Sequence, residues 1–426
     1  MRIYVGLIGS FLLLAGCSSG STDTPTNDGG NNTDPDGGNH TDPDGGNNNG
    51  AFTCSTGSLF AGNPVYDGDP GDRPTSGTGI KADPPLQWQT LVFSGTHLFT
   101  RQESEIWDVD VSASSPVETR IVGATPKGST YDFKTGACSA ASFSQLRGIA
   151  ALPDGSLVAS DYFANAIVKI SNPSNSATCT VTPIAGSVGP LLGLDPSTPS
   201  TLPKGGNADG AGAAATFNEP TAMTTDSAGS IYVADIAASN GAALIRKIDA
   251  SGNVTTLAKL GTNSGAPTGL TNFTTIGTTL YAAARDLTNS SYILQIDTTS
   301  GKITTILSGN ADTFPPAGSG TNPGVSGIAT DGKGLIVAGP GYVWYVTLAG
   351  KLSLLAGTGN SIDYFPNGYD PKASHPALSL ALPTALGPSD EHGTGSFNHI
   401  AFYKGAVYYR GHANGTAAFV EKISCP

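Results

Sequence analysis

The chain has 426 residues, among them 57 Gly and 29 Pro, and charged residues make up only 13%. This length allows one large core or two ordinary domains, and Gly- and Ser/Thr-rich turns between short β-branched runs suit an all-β protein rather than a helical one. The formal net charge of −12 repels phosphate backbones, so nucleic acid is excluded as the expected partner.

Taken in order, Met1-Arg2 gives a short positive start. Ile3 to Leu14 is mostly apolar but too short to span a bilayer as a finished helix. Leu14-Ala15-Gly16-Cys17 resembles the lipobox of bacterial lipoproteins. That resemblance implies a signal peptide over residues 1–16, lipid modification of Cys17, and an exported chain held to a membrane by its lipid. Ser18, rather than Asp, follows the Cys, which fits the bacterial outer membrane or cell surface. Residues 17–50 then form a low-complexity linker. TDPDGGN occurs at Thr33–Asn39 and again at Thr41–Asn47, and six negative charges (Asp23, Asp28, Asp34, Asp36, Asp42, Asp44) stand there without Lys or Arg. Such residues cannot build a core, so the segment reads as a disordered tether with a reach of roughly 30 Å. Its D-P-D-G units lack the remaining spacing and closing Glu of an EF-hand loop.

The folded part is expected over residues 51–426. Leu59–Gly62, LFAG, reads like the end of an outer strand with no partner strands before it. Asp67, Asp69 and Asp72 follow in a carboxylate-rich loop that is a weak Ca²⁺ candidate. A first unit over Gln89–Gly123 holds TLVFSG, HLFTR and IWDVDV. A second over Leu146–Gly186 holds LRGIAAL, SLVASD, AIVKIS and TVTPIAG.

The third unit, Gly206–Lys259, is the clearest. Its β-prone runs Thr221–Thr225, Ser230–Ala234, Ala243–Asp249 and Asn253–Ala258 are separated by turn residues. One such sheet cannot bury both faces alone and needs neighbours of its own kind. AATFNEPTAMTTDSAGSIYVADIAASNGAALIRKIDASGNVTTLA resembles an NHL repeat, departing by Lys259 in place of the closing Gly and by extra turn residues. The resemblance implies blades of a β-propeller. Further units follow at Pro267–Gly309, Val325–Gly357 and Phe397–Cys425. The last has three strands, so the orphan strand at Leu59 is expected to complete it. The expected fold is a six-bladed NHL-like β-propeller, closed by an N-terminal strand so that no open edge remains. The connections Ser187–Glu219 and Thr358–Ser396 are long, and structureless loops of that length are often functional or disordered.

Apart from Cys17, four cysteines remain, and an exported chain with an even number suggests disulfides, with three pairings open. Aligning CTVTPIAG with CSTGSLFAG places Cys179 and Cys54 alike, before an outer strand, with Cys425 at the end of a third strand. The register therefore pairs Cys54 with Cys425, and Cys138 with Cys179 by elimination.

In a propeller the second-to-third turns and the inter-blade connections share one face, around the channel mouth. The residues ending the second strands there are Arg101, Asp161, Asp235, Arg285, Gly339 and Arg410. Arg forks suit carboxylate or sulfate groups, so Arg101, Asp161, Asp235, Arg285 and Arg410 are candidate ligand-binding residues, with His412 in a nearby turn. The competing reading has both Asp residues capping turns and the Arg residues pairing with neighbouring blades. The histidines (His40, His97, His375, His392, His399, His412) recur at no common blade position, so neither a metal nor another cofactor is expected. No G-x-S-x-G elbow is present, and GNADGAGA at Gly206–Ala213 reads as an inter-blade loop. Trp88, Trp107 and Trp344, with Tyr342 and Tyr345, could stack sugars, though packing between blades explains most of them. The expected protein is a monomeric cell-envelope lipoprotein whose propeller is a non-enzymatic binding scaffold for a protein or glycan. The alternative is a channel-mouth lyase or hydrolase of the NHL-like type.

Overall fold

Each repeat folds as an antiparallel meander, because turn residues reverse the chain between short runs that suit strands. The computed structural model describes residues 52–62, 90–102, 104–112, 118–123, 131–186, 190–194, 198, 201–237, 239, 241–261, 266–288, 290–309, 313–314, 324–339, 341–358, 374–380, 382, 400–413 and 417–426. Expectations for Cys17, the tether, Asp67, Asp69, Asp72, Trp88, His40, His392 and His399 fall outside these residues.

Blade one pairs Leu91–Ser94, His97–Gln102, Glu105–Asp110 and Glu118–Val122 in order. Blade two pairs Leu146–Ala151, Leu157–Asp161, Ala166–Ser171 and Thr180–Gly186. Blade three pairs Met223–Thr225, Ile231–Ile236, Ala243–Ile248 and Asn253–Lys259. Blade four pairs Gly269–Ile276, Thr279–Arg285, Ser291–Ile296 and Ile303–Gly309. Blade five pairs Gly327–Thr330, Leu335–Gly339, Tyr342–Val346 and Leu352–Ala356. Blade six takes Ile400–Tyr403, Ala406–Ala413 and Ala417–Ser424 from one end of the chain and Thr56–Gly62 from the other. The first strands neighbour one another in a closed circuit, from blade one through blade six and back to one. The fold is therefore a six-bladed β-propeller.

Packing explains why its strands read as continuous apolar runs. A strand buried on both faces sends alternate side chains to opposite neighbours. In the second strand of blade four, Leu280, Ala282 and Ala284 pack toward blade three, while Tyr281 and Ala283 pack toward blade five. The remaining seams are filled in the same way by their own apolar layers. Side chains also hydrogen-bond across seams: Thr225 Oγ1 donates to the Ala151 carbonyl at 2.5 Å and Thr275 Oγ1 to the Thr225 carbonyl at 2.7 Å.

The closing glycine of the repeat has a steric cause. Gly186 has φ +79°, and a Cβ there would lie 2.2 Å from the Asn165 carbonyl oxygen. Only a residue without Cβ tolerates both conditions. In each blade the register between third and outer strand also shifts at one point, for example at Ile245/Arg246 and Val343/Trp344, and such bulges increase the local twist.

The closure is as expected. Thr56–Gly62 runs antiparallel to Ala417–Ser424, from Thr56 opposite Ser424 to Gly62 opposite Phe419. Disulfides join Cys54 to Cys425 and Cys138 to Cys179, the pairing that the register requires. They belong to an oxidising, extracytoplasmic compartment.

Other details differ from the sequence reading. His412 lies in a strand rather than a turn, opposite Ala418, because the hairpin register continues past Arg410 to Ala413. The connection Ser187–Glu219 contributes a strand of its own: Leu191–Leu194 pairs with Tyr131–Phe133, and Leu194 and Phe133 are buried. Short segments also cover outer edges as fifth strands, Gly136–Ala137 on blade two, Gly210–Ala211 on blade three and His375–Pro376 on blade six. This shields edges that would otherwise offer unpaired backbone groups. No helix among the described residues is long and apolar enough to cross a membrane.

Candidate functional site

The ends of the second strands reach the face that carries the second-to-third turns and the inter-blade connections, so the mouth residues share one level by register. What each does there depends on the connection it meets.

Asp161 is fully buried. Its carboxylate accepts the backbone N–H of Ser144 at 2.7 Å, that of Ala164 at 3.0 Å and the Ser144 hydroxyl. These bonds fasten the incoming connection and the outgoing turn to the strand end. Burial pushes its pKa upward against the lowering effect of those donors.

Asp235 is also buried and accepts from the Asn218 N–H at 2.8 Å, Asn207 Nδ2 at 2.9 Å and Arg246 at 2.8 Å. Burial raises its carboxyl to about 6 despite these bonds. Arg246 is wholly buried. It donates to the Thr216 and Ala208 carbonyls and to Asp209, each at 3.0 Å, and lies 5.0 Å over the Phe217 ring. The planar fork thus binds strand, loop and inter-blade connection together. Arg246 joins four partners at the mouth, yet the sequence reading gave it no role. Its signal was a charged residue inside the apolar run ALIRKI.

Arg101 and Arg285 face the seams. Arg101 is 1% exposed and donates to the Leu146 carbonyl of blade two at 2.6 Å. Arg285 approaches the Val325 carbonyl of blade five at 3.5 Å, and burial lowers its pKa. Arg410 is buried on blade six, which lowers its pKa to about 9. At Gly339 a Cβ would sit 2.7 Å from the Trp344 ring, so Trp344 occupies that slot. It forms part of the seam between blades four and five. His412 contributes its backbone to the strand above Arg410.

Sequence reading also missed a polar pair on the opposite face. His97 Nδ1 lies 2.9 and 3.0 Å from the two carboxylate oxygens of Asp108. Nearby, Lys169 Nζ lies 2.8 Å from Asp154. Lys169 and Ser156 hold the Asp154 carboxyl down at about 2. These partners come from different strands, or from a strand and a turn, so no linear spacing announces them. Among the described residues, no group of three or more His, Cys, Asp or Glu is placed to hold a metal ion.

No family model matches the chain, and no curated protein matches its sequence. Among solved structures, it is similar to an auxiliary nutrient binding protein from Bacteroides thetaiotaomicron at 11% identity, with a TM-score of 0.49 over 87% of this chain and 76% of that one. It is similar to virginiamycin B lyase from Staphylococcus aureus at 13% identity, with a TM-score of 0.41 over 80% of this chain and 96% of that one. A gluconolactonase from Xanthomonas campestris is similar at 11% identity, with a TM-score of 0.44 over 88% and 98%. The propeller assignment rests on the strand pairing itself and not on these likenesses.

Proposed function

We propose that the chain is a lipid-anchored, monomeric protein of the bacterial outer membrane or cell surface. Its propeller serves as a non-enzymatic binding scaffold for a protein or glycan. The observation that carries the scaffold reading is how the mouth ring is committed. Asp161 and Asp235 accept from the connections and from Arg246, and Arg101 and Arg285 donate across seams. Such bonds make the disc rigid and leave variation to its turns, the usual division between scaffold and recognition. The anchor rests on Leu14-Ala15-Gly16-Cys17 and the tether that follows it.

The purified chain is screened against glycan and protein panels, and in parallel against lactone and ester substrates. Binding without turnover is the expected result. Turnover that disappears on Asp161→Asn or Asp235→Asn, in variants that still fold, would overturn the scaffold reading. The anchor is tested in cells: wild type should partition with membranes, and Cys17→Ala should be released. Equal partitioning of the two chains would remove the anchor from the proposal.

A further inference from the structure

The first-to-second and third-to-fourth turns of each blade lie on the face opposite the ring. There the seam between blades one and two opens into a cleft of about 750 Å³. The next seam, between blades two and three, opens into a second cleft of about 470 Å³. Pro153, Asp154 and Lys169 line both clefts, so the two form one trench over three blades, with the Lys169–Asp154 pair as its saddle.

Among the described residues, the one cation in this trench, Lys169, is paired with Asp154, and His97 is hydrogen-bonded to Asp108. Asp249 in the second cleft is held by the backbone of Ser251 and Asn253, so the trench offers an anionic ligand no free cation. The remaining polar groups are mostly neutral and can both give and take hydrogen bonds. Ser94, Ser171 and Ser174 line the first cleft, and hydroxyls of this kind donate once and accept twice. With Nδ1 of His97 held by Asp108, Nε2 is the ring nitrogen left for a ligand. Beside these groups lies apolar surface, from exposed Pro153 shared by both clefts and half-buried Leu152 and Ile184 in the second, over a floor of buried Phe99, Pro173 and Ile231. A pyranose presents the same alternation of hydroxyl rim and C–H face. The trench is built from turns rather than an open strand edge, so an extended peptide finds no backbone ladder to join.

We propose that this trench binds an uncharged glycan chain across blades one to three. The proposal rests on the scaffold reading above and adds the ligand class and its place.

The test is calorimetry on the purified full chain with maltohexaose, cellohexaose and chitohexaose. A polyuronate oligosaccharide and a peptide library serve as comparators. Ser174→Trp fills the first cleft and Lys169→Met removes the saddle; both lie on the surface, and thermal melts confirm folding. At least one neutral oligosaccharide should bind, and each variant should weaken it by about tenfold or more. Unchanged affinity in both variants would refute this site while the scaffold reading stands. Binding of peptides or polyuronate alone would refute the ligand class. No binding by any probe would sink this proposal and count against the scaffold with it.

Discussion

Glu421 makes the protein's stability depend on pH in an unusual direction. It sits in the third strand of blade six, opposite Tyr409 on one side and Leu59 of the closing strand on the other. Its neighbours in alternation, Tyr409 and Ile423, belong to the apolar layer between blades five and six. The side chain is 1% exposed, and among the described residues neither carboxylate oxygen has a hydrogen-bond partner. Burial therefore raises its pKa from 4.5 to about 8, and the folded protein holds this carboxyl protonated at neutral pH. The unfolded chain releases the proton near 4.5. Between these two values the unfolded state binds fewer protons, so stability falls as pH rises, by about 1.4 kcal/mol per unit at most. From pH 5 to pH 7 the loss is roughly 2–3 kcal/mol. Glu421→Gln keeps the shape and removes the titration. Denaturant unfolding of both chains from pH 5 to pH 8 reads the difference, in which every other titrating group cancels. The variant's advantage should grow with pH by that amount, whatever its constant offset. A difference that stays flat across this range would refute the reasoning, because Glu421 would then be ionised and solvated in the folded state.

Two further outcomes follow from the closure and the seams. The Cys54–Cys425 bond spans 371 residues and the Cys138–Cys179 bond 41. In the chain-entropy model, removing the first should cost about 2 kcal/mol more than removing the second; paired Ser variants under denaturant measure this, and an equal cost would show that closure does not limit the unfolded chain. Arg246→Ala strands the buried Asp235 carboxylate and should cost about 3–5 kcal/mol, whereas Asp235→Asn with Arg246→Met should recover much of that loss. A double variant no more stable than the single one would place the cost in lost packing on Phe217 rather than in the unpaired charge.

How much of this could be read from residues alone follows from the range of each interaction. The apolar runs, the turn residues and the closing glycines act within a blade, so the repeat and its register were legible. From that register the orphan strand and the cysteine pairing followed, because both depend only on which strand lies beside which. Glu421 could not be read this way. In AAFVEKIS it stands beside Lys422, which reads as a solvated pair. What buries it is Thr56–Gly62 and the layer of blade five, both far away in sequence. Arg246 was visible as a residue of the repeat, but its partners at Thr216, Ala208 and Asp209 lie on a connection whose path no propensity fixes. His97 and Asp108 meet only as a diagonal pair, because the strand register sets His97 opposite Asp110 and Phe99 opposite Asp108.

The mouth ring shows why one register position does not define one function. Asp161 caps a connection, Asp235 holds an arginine, Arg101 and Arg285 reach toward the next blade, and at Gly339 a neighbouring tryptophan fills the slot. All five occupy equivalent backbone positions. They differ because the connections arriving at each seam differ in length and sequence, and each side chain is the local solution to fastening one of them. The ring is thus tied to the same requirement that makes the disc rigid, since each of its bonds crosses between separate segments. The trench on the opposite face is under less of this constraint: among the described residues Ser156 bonds Asp154 within its own turn, whereas Ser94, Ser171 and Ser174 line the first cleft without fastening one blade to another. Recognition can change there without disturbing a seam, which is the physical reason to look for ligand on the turns before the mouth.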